Sequence, residues 1–112
     1  MTPPLIDARA FEALQANAGA DFVLTLIQAF ADEAPQLLAE LSAAAVQADA
    51  ERFETAAHTF KSNSLTFGAS RLAESARRLE WQGPVAGSAA AIAMLTTELT
   101  DTLAALQDLA RH

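Results

Sequence analysis

The sequence predicts an all-α fold, an antiparallel up-and-down four-helix bundle preceded by a short N-terminal accessory helix. Alanine fills 28 of the 112 positions while Gly and Pro number four each, a composition that favours helix and close helix approach. Apolar residues recur at steps of three and four almost throughout, and no sustained period-two run of β-branched residues suggests strands. Short connections between amphipathic segments favour antiparallel neighbours. A chain of 112 residues has room for one apolar core, so a single domain is expected over the whole length, with its core at about 21–110.

The first helix, about Asp7 to Ala16, starts at an aspartate cap, offers Phe11 and Leu14 to the core, and breaks at Asn17 and Gly19. It is expected to cover one end of the bundle. The second, about Asp21 to Ala48, carries Val23, Ile27, Phe30, Ala34, Leu37, Leu41 and Ala45 as one stripe. Pro35 lacks an amide donor and crowds the preceding turn, so this segment is either kinked there or split in two. Asp49 caps a third helix, about Ala50 to Phe67, with Glu51 and Glu54 near the positive end of its dipole, and Gly68 ends it. A fourth, about Ser70 to Gln82, opens on a serine cap, shows Leu72, Ala76 and Leu79 on one face, and stops at Gly83 and Pro84. The fifth, about Ser88 to Ala110, has Ile92, Leu95, Leu99, Leu103 and Leu106 as its stripe.

Composition excludes several functions. Cysteine is absent, which removes disulfides, thiolate metal sites and cysteine nucleophiles. Seven basic residues against fourteen acidic ones give a net charge of −7, which repels nucleic acid and anionic lipid. Met1 to Asp7 has no basic region followed by an apolar stretch, and no segment approaches the roughly 20 uninterrupted apolar residues of a membrane span, so a cytoplasmic, monomeric protein without membrane contact is expected. Five of the seven basic residues, Arg52, Lys61, Arg71, Arg77 and Arg78, lie close together in sequence, a local excess suited to an acidic partner.

The third helix carries the chemistry. At about 100° per residue from Phe53, the residues Ala57, Phe60, Ser64 and Phe67 fall within roughly 40° of it and form a buried face. His58 falls at roughly 140°, near Glu51, Ser62 and Leu65, and should face water. Lys61 is one turn away, where its ammonium at about 6 Å from a group on the imidazole would favour one negative charge by about 1 to 3 kcal/mol before screening. Ser62 is small enough for a partner to approach the ring, and the outward Leu65 marks a surface that a partner would cover. Ser64 points inward, toward a packing bond to a carbonyl one turn back or to a neighbouring helix, and Gly68 supplies a left-handed helix end.

The run Ala57-His58-Thr59-Phe60-Lys61-Ser62-Asn63-Ser64-Leu65-Thr66-Phe67-Gly68-Ala69 resembles the active-site helix of histidine-phosphotransfer (HPt) domains: a histidine, a lysine three on, a small residue, a serine, then Gly-Ala. Ser62 stands where that family most often has glycine. Leu72 and the pair Leu79-Glu80 resemble the family's next helix, and the likeness spans about Asp21 to Ala110. The resemblance implies that His58 accepts a phosphoryl group through an imidazole nitrogen, the ε nitrogen being the freer one. It then passes the group to or from an aspartate of a receiver domain, in a response regulator or a hybrid histidine kinase. Lys61 would stabilise the phosphoryl charge. Ser62, Leu65, Arg71 and Arg78 are the docking candidates, although Arg71 and Arg78 lie on one flank of the Leu72 stripe and Arg77 on the other, so only one set can lean toward His58.

No Gly-x-x-x-x-Gly-Lys loop, nucleotide lid or aspartate cluster is present, so a carrier rather than an enzyme is expected, with no cofactor or metal of its own; the resemblance implies that the magnesium ion is held by the partner receiver. A carboxylate-bridged metal bundle would need Glu-x-x-His, and residue 55 is threonine. The alternative is a docking or inhibitory module that binds a receiver or kinase without transfer. Trp81, off the main stripe, suits either edge packing or a partner contact.

Overall fold

The computed structural model describes residues 2–111; Met1 and His112, the latter without an assigned role, lie outside the described residues. These comprise five helices and no strands: α1 Ala8–Ala18, α2 Ala20–Val46, α3 Ala50–Thr66, α4 Ser70–Gln82 and α5 Ser88–Ala110. Both aspartate caps form, Asp7 accepting from the Arg9 and Ala10 amides and Asp49 from that of Arg52. α1 continues through Asn17 to Ala18, and Gly19, at φ 90°, separates it from α2. Ser70 is not a cap but the first residue of α4. Its hydroxyl donates to the Gly68 carbonyl (3.3 Å), and Ala69 takes the cap position.

Pro35 neither splits nor ends α2, which runs unbroken for 27 residues with the proline ring exposed. The α2 stripe is broader than the sequence implies: Leu38 and Ala44 are buried, while Leu37 and Ala45 pack partly buried at its edge. The cause is that α2 touches α1, α3 and α5. On α5 Thr102 is fully buried, as Leu95 and Leu106 are, while Leu103 is only partly so; the Thr102 hydroxyl tolerates this by donating to the Glu98 carbonyl at 2.7 Å. α5 is also, contrary to expectation, long and apolar enough to cross a membrane by length and composition. Its Ile92, Leu95, Leu99 and Leu106 are nevertheless committed to the core.

α2 packs on α3 and α5, and α4 packs on α3 and α5. Phe30 of α2 meets Phe60 edge-on and Phe67 at ring-centre distances of 6.1 and 5.3 Å. Glu40 near the end of α2 pairs with Arg52 near the start of α3, and Ser75 of α4 donates to Glu98 of α5 at 2.6 Å. The chain ahead of α1 lies across the α3–α4 turn: the Asp7 amide donates to the Gly68 carbonyl (2.7 Å), and Arg71 donates from its amide to Pro4 and from Nε to Pro3 (both 3.1 Å).

α2 and α3 both end with paired reverse bonds around a left-handed residue. After α3 that residue is Gly68, at φ 70°, with the Ala69 amide bonded to the Ser64 carbonyl and the Gly68 amide to that of Leu65. After α2 it is Ala48, at φ 53°, with the Asp49 amide on Ala44 and the Ala48 amide on Ala45. An L side chain in this region is disfavoured, and Ala48 is exposed, so Ala48→Gly is expected to stabilise the protein by about 1 kcal/mol. Urea unfolding checks this, and an unchanged or lower midpoint refutes it.

Candidate functional site

α3 presents the faces its periodicity implies: Phe53, Ala57, Phe60 and Ser64 are buried, with Ala56 added, and His58 has its side chain 60 % exposed. The Ser64 hydroxyl donates to the Phe60 carbonyl at 2.8 Å, so a polar group sits inside the bundle without an unmet bond. Ser62 is exposed one turn beyond His58, and Leu65 is 57 % exposed two turns beyond it.

Glu80 of α4 organises the site, reaching across to α3 with both oxygens. Oε2 lies 2.7 Å from His58 Nδ1, and Oε1 accepts from Lys61 Nζ at 2.6 Å. Lys61 therefore does not stand free beside the ring; it is half-buried and anchors the carboxylate that holds the ring. The Lys61 ammonium foremost, and His58 secondarily, hold Glu80 below the usual carboxylate range against an opposing penalty from partial burial. An ionised carboxylate can only accept, so Nδ1 must carry the proton. In the neutral ring the lone pair is then on Nε2, which makes no bond among the described residues. An exposed imidazole fixed in orientation and tautomer is suited to nucleophilic attack on an electrophile brought by another molecule.

The arginines fall into the two expected sets, and the set that includes the docking candidates Arg71 and Arg78 is the one turned away from His58. Arg78 lies beside Ala91 and Met94 of α5, and Arg71 is tied to Pro3 and Pro4; neither shares the His58 flank. Arg77 does, lining a concavity with Glu54, Glu80 and Trp81. The basic cluster is also largely committed within the chain, Arg52 to Glu40, Lys61 to Glu80, and Arg77 and Arg78 to Glu74. Among the described residues no three His, Asp or Glu side chains converge as a metal site requires.

Glu80 is the functional residue that a single-helix wheel misses. Neutralising it tests its part in the network. Because its folded pKa is depressed, the stability it contributes is present above its ordinary value near 4.5 and is lost as pH falls through the lower folded value. Glu80→Gln is expected to remove that segment of the pH dependence, seen as a flatter plot of urea midpoint against pH on the acid side of neutrality. An unaltered profile would place the acid sensitivity elsewhere.

A model of the Hpt domain family matches residues 25–109. Among solved structures, the crystal structure of histidine-containing phosphotransfer protein B (HptB) from Pseudomonas aeruginosa PAO1 is similar, with a TM-score of 0.85 and 25 % sequence identity over 98 % of this chain and 97 % of that one. No curated protein matches the chain.

Proposed function

Because the chain belongs to the Hpt domain family, the phosphotransfer carriers of two-component signalling, we propose that His58 is its phosphoryl acceptor and exchanges that group with an aspartate of a receiver domain. The observation that carries this reading is the pairing of His58 Nδ1 with the Glu80 carboxylate, which leaves Nε2 free on an exposed ring. In the accepting step the Nε2 lone pair forms a bond to phosphorus as the bond from phosphorus to the aspartyl oxygen breaks, and the carboxylate leaves with that electron pair. The Nδ1 proton stays in place, and Glu80 balances the positive charge that the ring acquires.

Lys61 holds Glu80 in place and lies on the same side of α3, where its charge favours an incoming phosphoryl group. Ser62 and Leu65 form the near docking surface. The magnesium ion and acidic pocket are the receiver's contribution, and the receiver belongs to a response regulator or hybrid kinase. On this reading α2–α5 act as an antiparallel up-and-down bundle with α1 as its accessory helix, in a cytoplasmic monomer. Incubation with a panel of phosphorylated receiver domains should label the protein with an acid-labile, base-stable phosphoryl group that maps to His58. Stable binding of a receiver without any label would instead favour the docking module.

A further inference from the structure

We propose that the surface running from His58 past Glu54 to Trp81 is a second contact area for the phosphoryl-exchanging partner, and that it receives a cationic side chain, a lysine or arginine, of that partner. This rests on the reading of His58 as the phosphoryl acceptor.

Trp81 directly follows Glu80 in α4 and is 84 % exposed, although a tryptophan in water leaves a large apolar surface without cover. It is not isolated from the site. One open concavity of about 400 Å³ is lined by His58, Glu51, Glu54 and Glu80, and an adjoining one of about 340 Å³ is lined by Glu54, Glu80, Arg77 and Trp81. Glu54 and Glu80 are the wall common to both, so the ring lies on the same continuous surface as the imidazole.

Charge decides what fits there. Glu80 is satisfied by Lys61 and His58, and Arg77 is committed to Glu74 through two hydrogen bonds. Glu51 and Glu54 have no ion pair among the described residues. Two carboxylates without a cationic partner beside an acceptor of an anionic group oppose transfer by repulsion unless the approaching molecule covers them. A partner cation does so, and the Trp81 ring offers it a π face at the far side of the same wall. The fit also gives specificity, since a partner with an acidic group at that place is repelled.

Trp81 is the only tryptophan of the chain, so its fluorescence reads the contact directly. The test uses the full chain with a receiver domain, lacking tryptophan, that labels the unsubstituted protein. Saturating receiver should shift and quench the Trp81 emission. Trp81→Ala should raise the receiver concentration for half-maximal transfer by about tenfold with the saturated rate unchanged. The pair Glu51→Lys and Glu54→Lys should raise it by a similar factor, while Glu51→Gln and Glu54→Gln together should weaken its dependence on salt.

Transfer that proceeds with the Trp81 emission unmoved and the half-maximal concentration of Trp81→Ala within about twofold of the parent overturns the contact. Sensitivity to Trp81→Ala with indifference to both charge variants overturns the cationic occupant. Failure of every receiver to label the unsubstituted protein is a different result, which sinks the acceptor role of His58 and the inference with it.

Discussion

His58→Gln is expected to reduce phosphoryl labelling by a factor on the order of 1,000 or more, to background, while leaving the fold intact. The loss follows from chemistry rather than structure. A carboxamide nitrogen has its lone pair delocalised into the carbonyl and cannot attack phosphorus, yet the glutamine side chain keeps a donor that can reach the Glu80 carboxylate in place of Nδ1. His58 is exposed and outside the core, so its replacement should change stability by no more than about 0.5 kcal/mol. Labelling with a radioactive phosphorylated receiver, read alongside the urea midpoint of the same preparation, separates the two effects. Undiminished labelling would show that the phosphoryl group sits on another residue.

The second large effect concerns stability. Gly68→Ala places a methyl group 2.8 Å from the Ala10 Cβ and 2.9 Å from the Asp7 carbonyl oxygen, at a backbone φ of 70°. The left-handed conformation costs about 1 to 2 kcal/mol with any L side chain, and forcing two packed segments apart adds about 1 to 3 more. A total loss of roughly 2 to 5 kcal/mol is expected from urea unfolding. Gly87 is an internal control, since it is also left-handed, at φ 97° and ψ −6°, but a Cβ there meets nothing within 4 Å. Gly87→Ala should therefore lose only the conformational part. Equal losses at the two glycines would mean that the N-terminal segment yields freely and does not press on the α3–α4 turn.

The comparison of these glycines shows where sequence reading reaches its limit. Both stand at helix boundaries, and a helix boundary is legible in a chain; the contact with Ala10 and Asp7 is not, because it joins segments far apart in sequence. The buried face of α3 was legible because one strong stripe, from Phe53 through Phe60, fixes the helix rotation and thereby exposes His58. α2 was less so, since a helix packed on three others buries both Leu37 and Leu38 to different degrees and no single stripe describes it. Thr102 falls outside any stripe of apolar residues because its burial depends on a hydroxyl turned back to the Glu98 carbonyl. Glu80 could be placed on α4 but not against His58 and Lys61, since that pairing is set by how α3 and α4 rotate about each other. The same rotation puts Arg77, and not Arg71 or Arg78, on the His58 flank.

The N-terminal segment laid over the α3–α4 turn has a further consequence for how the molecule opens. α1 contributes a single fully buried side chain, Phe11, and the strap ahead of it adds only the partly buried Ile6 to the bonds of Asp7 to Gly68 and of Arg71 to Pro3 and Pro4. The Arg71–Pro3 bond joins residues 68 positions apart, so it closes a long stretch of chain with little apolar burial to offset the entropy. Such a unit detaches as a local opening before the rest of the domain unfolds. The Asp7 and Arg71 amides then belong to a fast-exchanging class and those in the middle of α2 and α3 to the slowest. The strap and the bundle are two cooperative units within one small domain, and the turn that follows the helix bearing His58 is shared between them.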